Sequence, residues 1–307
     1  MPESATMKSL WEYSSGYHFW RPYVDFCARS TFSRVEIEGK ERIPGGYVIL
    51  APNHCCTLMD ALMILLLYPR DPVCFGARAD IFRKERMARA LRWLKILPLS
   101  RERDGIREVA KDLDTFEEMT ECLRHGLPVC MFSEGRHRAE RGMLPVKKGI
   151  FRLAREASAK LGAPVNVVPV GLDYEDFFRP GGTVAIRIGE AIPIASQFDG
   201  LTPDKDFYET LCEDLRRRDL GLIGKPPSRR RHPVLAALLS PAVAVAAVLS
   251  LPISLAAAVL IARAKDKAWA HTYTFALKLV LPLFLPFHIV LWWFLRQFIK
   301  PYSHEKA

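Results

Sequence analysis

Short apolar runs of strand length, separated by segments with helical spacing, constrain this chain more than any other feature. Residues 47–50 follow the turn signal Gly45-Gly46, and further runs lie at 72–75, 127–132, 165–170 and 184–188. Residues 58–68, 81–97, 106–124, 148–161 and 207–218 carry helical periodicity, and 35–37 alternates apolar and charged residues as a half-buried strand does. Buried strands alternating with helices predict an α/β layer.

At residues 225–231, Lys-Pro-Pro-Ser-Arg-Arg-Arg, the composition changes abruptly. Residues 234–262 are nearly free of charge, and a second apolar run, 279–295, holds Trp292-Trp293 near its end, beside Arg296 and Lys300. About 20 apolar residues suffice to cross a bilayer, and tryptophans with flanking bases suit its boundary. A C-terminal hydrophobic helical hairpin is therefore expected, kinked or re-entrant at Pro241, Pro252, Pro282 and Pro286. Residues 8–30 mix aromatics with Lys8, Arg21 and Arg29; they read equally as an interfacial amphipathic helix or as a helix packed on its own domain. The expected organisation is an N-terminal amphipathic helix over 1–31, a main domain over 32–224, a basic linker over 225–233 and a membrane hairpin with a short tail over 234–307.

The 44 Lys+Arg against 34 Asp+Glu leave a formal charge of +10, which favours an anionic partner such as nucleic acid, a phosphorylated metabolite or a membrane surface. No recognisable nucleic-acid module accompanies the charge, so nucleic acid is the least attractive of the three. Seven cysteines, at 27, 55, 56, 74, 122, 130 and 212, are odd in number and irregular in spacing, which speaks against a disulfide framework. Without a CxxC, no structural zinc is expected. Residues 1–13 carry Glu3 and Glu12 and lack an apolar core, so they do not read as a secretory signal. The expected location is a membrane, with the main domain facing a reducing cytoplasm.

Chemistry concentrates at two strand ends. The run 48–52 leads into Asn53-His54, and Asp60 follows on the first turn of the next helix. A histidine at a strand end with an acid near enough to orient it can act as a general base. Six residues along one continuous helix turn a side chain by about 600°, almost to the opposite face, so the two can meet only if His54 stands on the preceding loop. Thr57 and Asp60 also have capping-box spacing, which leaves a helix-capping role open for Asp60. The second cluster, Phe132-Ser133-Glu134-Gly135-Arg136-His137-Arg138, ends the run 127–132. A base together with arginines suggests a hydroxyl substrate that carries phosphate, since guanidinium groups bind phosphate bidentately. Cys55 beside His54 allows a thiol nucleophile as a lesser alternative, and Arg83 to Arg92 form a basic helix suited either to anionic lipid or to water.

Taken together, these blocks resemble the phospholipid/glycerol acyltransferase family, which includes the 1-acylglycerol-3-phosphate acyltransferases, over roughly residues 32–220. Asn53-His54…Asp60 is similar to its NH(x)4D motif, with five residues here instead of four. Leu97 to Arg103 resembles its second block, an apolar strand ending in a phosphate-binding arginine. Phe132 to Arg136 is similar to its FPEGTR block, with Ser133 in place of proline and Arg136 directly after Gly135. Leu144 to Gly149 and Val167 to Val170 match its lysine-glycine and proline blocks. The resemblance implies a mixed central sheet flanked by helices, His54 and Asp60 as a catalytic dyad, and Asn53, Arg101, Arg103, Glu134, Gly135, Arg136, Arg138 and Lys147 as substrate-binding residues. It implies no cofactor and no metal. The expected reaction moves a fatty acyl group from acyl-CoA or acyl-carrier protein to 1-acylglycerol 3-phosphate, giving phosphatidic acid. Glycerol 3-phosphate, another lysophospholipid or an aminolipid is the alternative acceptor, and a non-catalytic membrane-anchored binder of anionic lipid is the alternative of another class.

Overall fold

The computed structural model describes residues 9–69, 71–100, 106–194, 205–224 and 240–280. Strand β2 (Tyr47–Pro52) shows why the layer forms. Val48 and Leu50 join the core on one face and Ile49 and Ala51 the core on the other. In β6 (Val165–Tyr174), Val168, Val170, Leu172 and Tyr174 face one way and Val165 and Val167 the other, the period of two expected of strands. Strands dry on both sides must be covered by helices on both sides.

The remaining strands are β1 (Arg34–Glu38), β3 (Cys74–Arg78), β4 (Ile96–Leu99), β5 (Val129–Cys130), β7 (Thr183–Ile188) and β8 (Ile192–Pro193). Together they form an 8-stranded sheet in the order β1-β7-β6-β2-β5-β3-β4, with β8 against β6. The pairs from β6 through β2, β5 and β3 to β4 are parallel, as is β1–β7, whereas β7 and β8 run antiparallel to β6. The central sheet is thus mixed and flanked by helices, as the family resemblance implied. Helices α1 (Ser15–Ser30), α2 (Leu58–Leu65) and α8 (Ala270–Val280) cover one face, through residues such as Ala28, Met63 and Phe275. Helices α4 (Ile106–Arg124), α5 (Gly149–Leu161) and α6 (Lys205–Leu222) cover the other, through Met119, Leu153 and Leu215.

The expected helix over 81–97 is corrected. Its helical part, α3, spans only Glu85–Trp93, and Lys95 then adopts φ +65°, a left-handed conformation that no α-helix continues through. The Lys95 carbonyl accepts from the Phe75 N–H at 2.9 Å, which starts β4 alongside β3. The expected strand over 127–132 shrinks to two residues in β5, and the expected strand over 165–170 extends to Tyr174 because β7 pairs with its second half.

One side of helix α1 packs against the domain. Arg21 is buried; its Nη2 donates to the carbonyls of Leu65 (2.6 Å) and Tyr68 (2.8 Å), while its Nε meets Asp25 at 2.8 Å. The last carbonyls of a helix lack partners within it, so this guanidinium caps α2 from a neighbouring helix. The outer side of α1 nevertheless leaves Phe19, Trp20 and Phe26 exposed, and Tyr13 is exposed just before it. Toward the C-terminus, Lys278 of α8 donates to the Ser30 carbonyl and so pins α8 to the end of α1.

Among the described residues, no helix is long and apolar enough to cross a membrane. Part of the first expected apolar run forms helix α7 (Ser240–Arg263), with Pro252 inside it and with Val245, Val248, Leu255 and Val259 exposed. Residues 225–239 and 281–295, the basic linker and most of the rest of the expected hairpin, lie outside the described residues.

Candidate active site

Asn53 is the hinge of the site. Its N–H still continues the pairing of β2, donating to the Val170 carbonyl at 3.4 Å. Its side-chain amide then takes over from the backbone, with Nδ2 donating to the Leu172 carbonyl at 3.1 Å and Oδ1 accepting from the Leu172 N–H at 2.6 Å. A buried amide that makes the bonds of a strand residue lets the main chain leave the sheet without orphaning β6. Asn53 was expected to bind substrate; its buried amide is instead engaged with β6.

His54 stands on the loop between β2 and α2. Its Nδ1 lies 2.7 Å from Asp60 Oδ2. That oxygen also accepts from the N–H groups of Cys55 and Cys56, both at 2.8 Å. The Thr57 side chain makes no cap bond, and Asp60 accepts from the N–H groups of Cys55 and Cys56 on the loop before the helix, so the capping-box geometry is not formed. A carboxylate only accepts, so Nδ1 carries the proton and, in the neutral ring, Nε2 carries the lone pair. Phe132 stacks on the ring at 4.2 Å between centroids, and His137 meets it edge-on at 5.6 Å.

The loop after β5 is tied to this one by its main chain. Glu134 Oε1 accepts from the His54 N–H at 2.6 Å and Oε2 from the Leu144 N–H at 2.7 Å, while the Arg138 N–H donates to the His54 carbonyl at 3.0 Å. Burial raises the Glu134 pKa, against the pull of those two N–H donors and of His54. A buried carboxylate needs donors of its own, and here the backbone supplies them. Gly135 has φ +69°, and a Cβ there would meet only Lys147 Cγ at an ordinary 3.9 Å, so its backbone conformation is what suits glycine at this position. Arg136 and Arg138 are exposed, and Arg138 pairs with Glu140 at 3.1 Å. Lys147 is exposed too, and its N–H donates to the Ser133 carbonyl at 2.8 Å. Arg101 and Arg103 lie outside the described residues.

Both thiols beside His54 are buried, and burial foremost pushes them well above the usual cysteine range, with the charge of Asp60 adding to it. Nucleophilic cysteines need the opposite environment, so neither Cys55 nor Cys56 is fitted to carry an acyl group. Among the described residues, no group of His, Cys, Asp or Glu is placed to hold a metal ion.

The site therefore lies at the carboxyl ends of two neighbouring parallel strands, β2 and β5, where ligands commonly bind in α/β sheets. Residues 34–173, which contain it, match the family model described as Acyltransferase. This stretch, a little under half of the chain, is therefore similar to the acyltransferase family. A Caenorhabditis elegans protein, acl-2, designated a candidate 1-acyl-sn-glycerol-3-phosphate acyltransferase, is 33% identical over 105 residues. The match covers 31% of this chain and 34% of that protein, so it spans about a third of the curated relative's length. The crystal structure of the 1-acyl-sn-glycerophosphate (LPA) acyltransferase PlsC from Thermotoga maritima is similar at 23% identity and a TM-score of 0.43, over 66% of this chain and 78% of that one.

Sequence reasoning misses two residues of this candidate site. His137, whose Nε2 lies 2.6 Å from Asp266 Oδ2, stands within the second cluster without a part assigned to it. Tyr174, whose hydroxyl donates to Asp60 Oδ1 at 2.7 Å, follows the proline block by several residues and carries no motif of its own.

Proposed function

We propose that this chain transfers a fatty acyl group from an acyl thioester, acyl-CoA or acyl-carrier protein, to the free hydroxyl of 1-acylglycerol 3-phosphate, forming phosphatidic acid. The observation that carries the reading is the 2.7 Å contact between His54 Nδ1 and Asp60 Oδ2, which leaves Nε2 as the basic nitrogen. In this scheme Nε2 takes the acceptor hydroxyl proton as the oxygen attacks the thioester carbonyl carbon. Collapse of the tetrahedral intermediate completes the new C–O bond and breaks the C–S bond. The imidazolium then returns its proton to the departing sulfur. Asp60 holds the tautomer and stabilises the transient cation, the logic of a serine-hydrolase triad whose nucleophile belongs to the substrate. Arg136 and Arg138, on the loop tied to the His54 carbonyl, supply positive charge for the acceptor phosphate.

The reaction is proposed to take place at a membrane surface, with this domain on the cytoplasmic side. Exposed Phe19, Trp20 and Phe26 on α1, exposed Met87 and Trp93 on α3, and the apolar side chains of α7 support the contact with a membrane surface. Free thiol released from acyl-CoA or acyl-carrier protein, measured with vesicles containing 1-acylglycerol 3-phosphate, is the direct test. Release is expected with that acceptor and to depend on His54. Release only with glycerol 3-phosphate or a neutral lysolipid would replace the acceptor, and lipid binding without any release would replace the enzyme by a binder. Trp20→Ser is expected to reduce vesicle co-sedimentation several-fold with little change in thermal stability, since the ring is exposed; undiminished sedimentation would remove α1 from the contact.

A further inference from the structure

Tyr174 lies one residue beyond the stretch matched to the acyltransferase family and reaches Asp60; α8 lies wholly outside that stretch and reaches Tyr174 and Thr57. The two oxygens of Asp60 are filled from opposite sides. Oδ2 takes His54 Nδ1 and the two loop N–H groups, and Oδ1 takes the Tyr174 hydroxyl at 2.7 Å. The terminal torsion of an aspartate is soft and two-fold, so donors on both oxygens are what fix the angle at which Oδ2 meets the imidazole. Burial, and after it the charge of Asp60, pushes the Tyr174 phenol well up, so it stays protonated and donates.

Tyr174 is itself held. Its ring stacks on His271, the second residue of α8, at 5.7 Å and 22°, and lies against Phe32 at 5.7 Å. His271 Nε2 lies 2.9 Å from the Asp176 carbonyl, which fixes that ring. The next residue, Thr272, places Oγ1 3.1 Å from Thr57 Oγ1. Thr57 has φ +53° and ψ −125°, a strained conformation for a β-branched residue, at the turn that carries the Cys55 and Cys56 N–H groups into α2.

We propose that Tyr174 is a positioning residue for the His54–Asp60 pair, and that the first turn of α8, through His271 and Thr272, holds Tyr174 and the Thr57 turn in place. This rests on reading that pair as the catalytic one. The segment 270–272 is then part of the catalytic apparatus, although it stands outside the matched domain.

Tyr174→Phe keeps the packed ring and removes only the hydroxyl. Loss of a hydrogen bond to a charged group is expected to lower kcat about ten-fold, with KM for donor and acceptor unchanged. With the Tyr174 hydroxyl gone, Asp60 has one donor fewer, becomes the stronger acceptor for His54 and favours the imidazolium, so the acid limb of the rate profile should move to higher pH. The other titratable groups around the pair are Cys55 and Cys56 on the loop, Glu134 and His137 after β5, Asp173 and Asp176 around the end of β6, and His271 on α8; Cys130 lies beneath it in β5. None of them is altered by the substitution, so the shift reports on Tyr174. The proton NMR resonance of His54 Nδ1–H should move as well. A role in packing alone would lower the melting temperature and leave both the acid limb and that resonance in place.

Wild-type kcat together with an unmoved acid limb in a folded Tyr174→Phe protein would overturn the proposal. Thr272→Val, which conserves shape and touches Thr57 but not Asp60, is expected to lower kcat about three-fold at constant KM, consistent with loss of one neutral hydrogen bond; wild-type kcat there removes α8 from it. If Tyr174→Phe does not fold, Thr272→Val and the His54 resonance in that variant decide the matter. His54→Ala separates the two levels: survival of acyl transfer in that variant defeats the proposed function itself, whereas its loss beside a wild-type Tyr174→Phe defeats only this inference.

Discussion

His54→Ala is expected to reduce thioester-dependent acyl transfer by roughly 10²–10⁴-fold, the range that a positioned general base contributes. The reduction should fall on kcat, because in the proposed scheme His54 takes the hydroxyl proton and holds neither the acyl chain nor the phosphate. The protein should stay folded. Asp60 would keep its three other donors, from Tyr174, Cys55 and Cys56, so its buried charge would remain solvated. Thiol release measured beside a thermal melt checks both halves. More than about a tenth of wild-type turnover in a folded variant would remove His54 from the proton transfer.

Asp60→Asn is expected to be nearly as damaging and by a different route. The two backbone N–H groups hold the amide oxygen at the Oδ2 position and turn the NH2 toward the Tyr174 hydroxyl, so the tautomer is kept and what is lost is the negative charge that stabilises the imidazolium. The same exchange in the triad of a serine protease lowers kcat about 10⁴-fold, which is the upper bound of the loss expected here. Asp60 is also fully buried, and its carboxylate gathers four donors. Replacing an ionised acceptor in that setting should cost about 2–4 kcal/mol of stability, visible as a lower midpoint in urea. A variant with wild-type turnover and midpoint would leave Asp60 neither role.

How much of the fold and site is legible in the sequence depends on how local each signal is. Helix α4 begins and ends where its periodicity does, and the pair His54 and Asp60 can be singled out because both lie within one strand–loop–helix turn. Segment 81–97 misleads because Leu94 and Leu97 extend a helical spacing through Lys95, and only its left-handed φ breaks the run. Asn53 is recognisable as part of the motif, but its partner is the backbone of a residue 119 positions away, which no local pattern reports. The same holds for Tyr174, 114 residues from Asp60, and for Thr272, 215 residues from Thr57. Glu134 is the intermediate case: repulsion from a phosphate shows that it needs donors, and the fold decides that these are main-chain N–H groups.

Among the described residues, strand β1 has one sheet neighbour, β7, in a register that joins Arg34 to Thr183 and Glu38 to Arg187. During synthesis it therefore leaves the ribosome about 150 residues before anything can pair with it, an interval of roughly 10–30 s at ordinary elongation rates. The half-finished sheet grows around β2, β5, β3 and β4 while β1 waits as an unpaired strand. Closure by β7 joins distant parts of the chain, the kind of contact that makes folding slow and leaves an edge open to aggregation. Birth order and assembly order thus run in opposite directions at this edge, and the nascent chain is most in need of a chaperone while β1 remains alone.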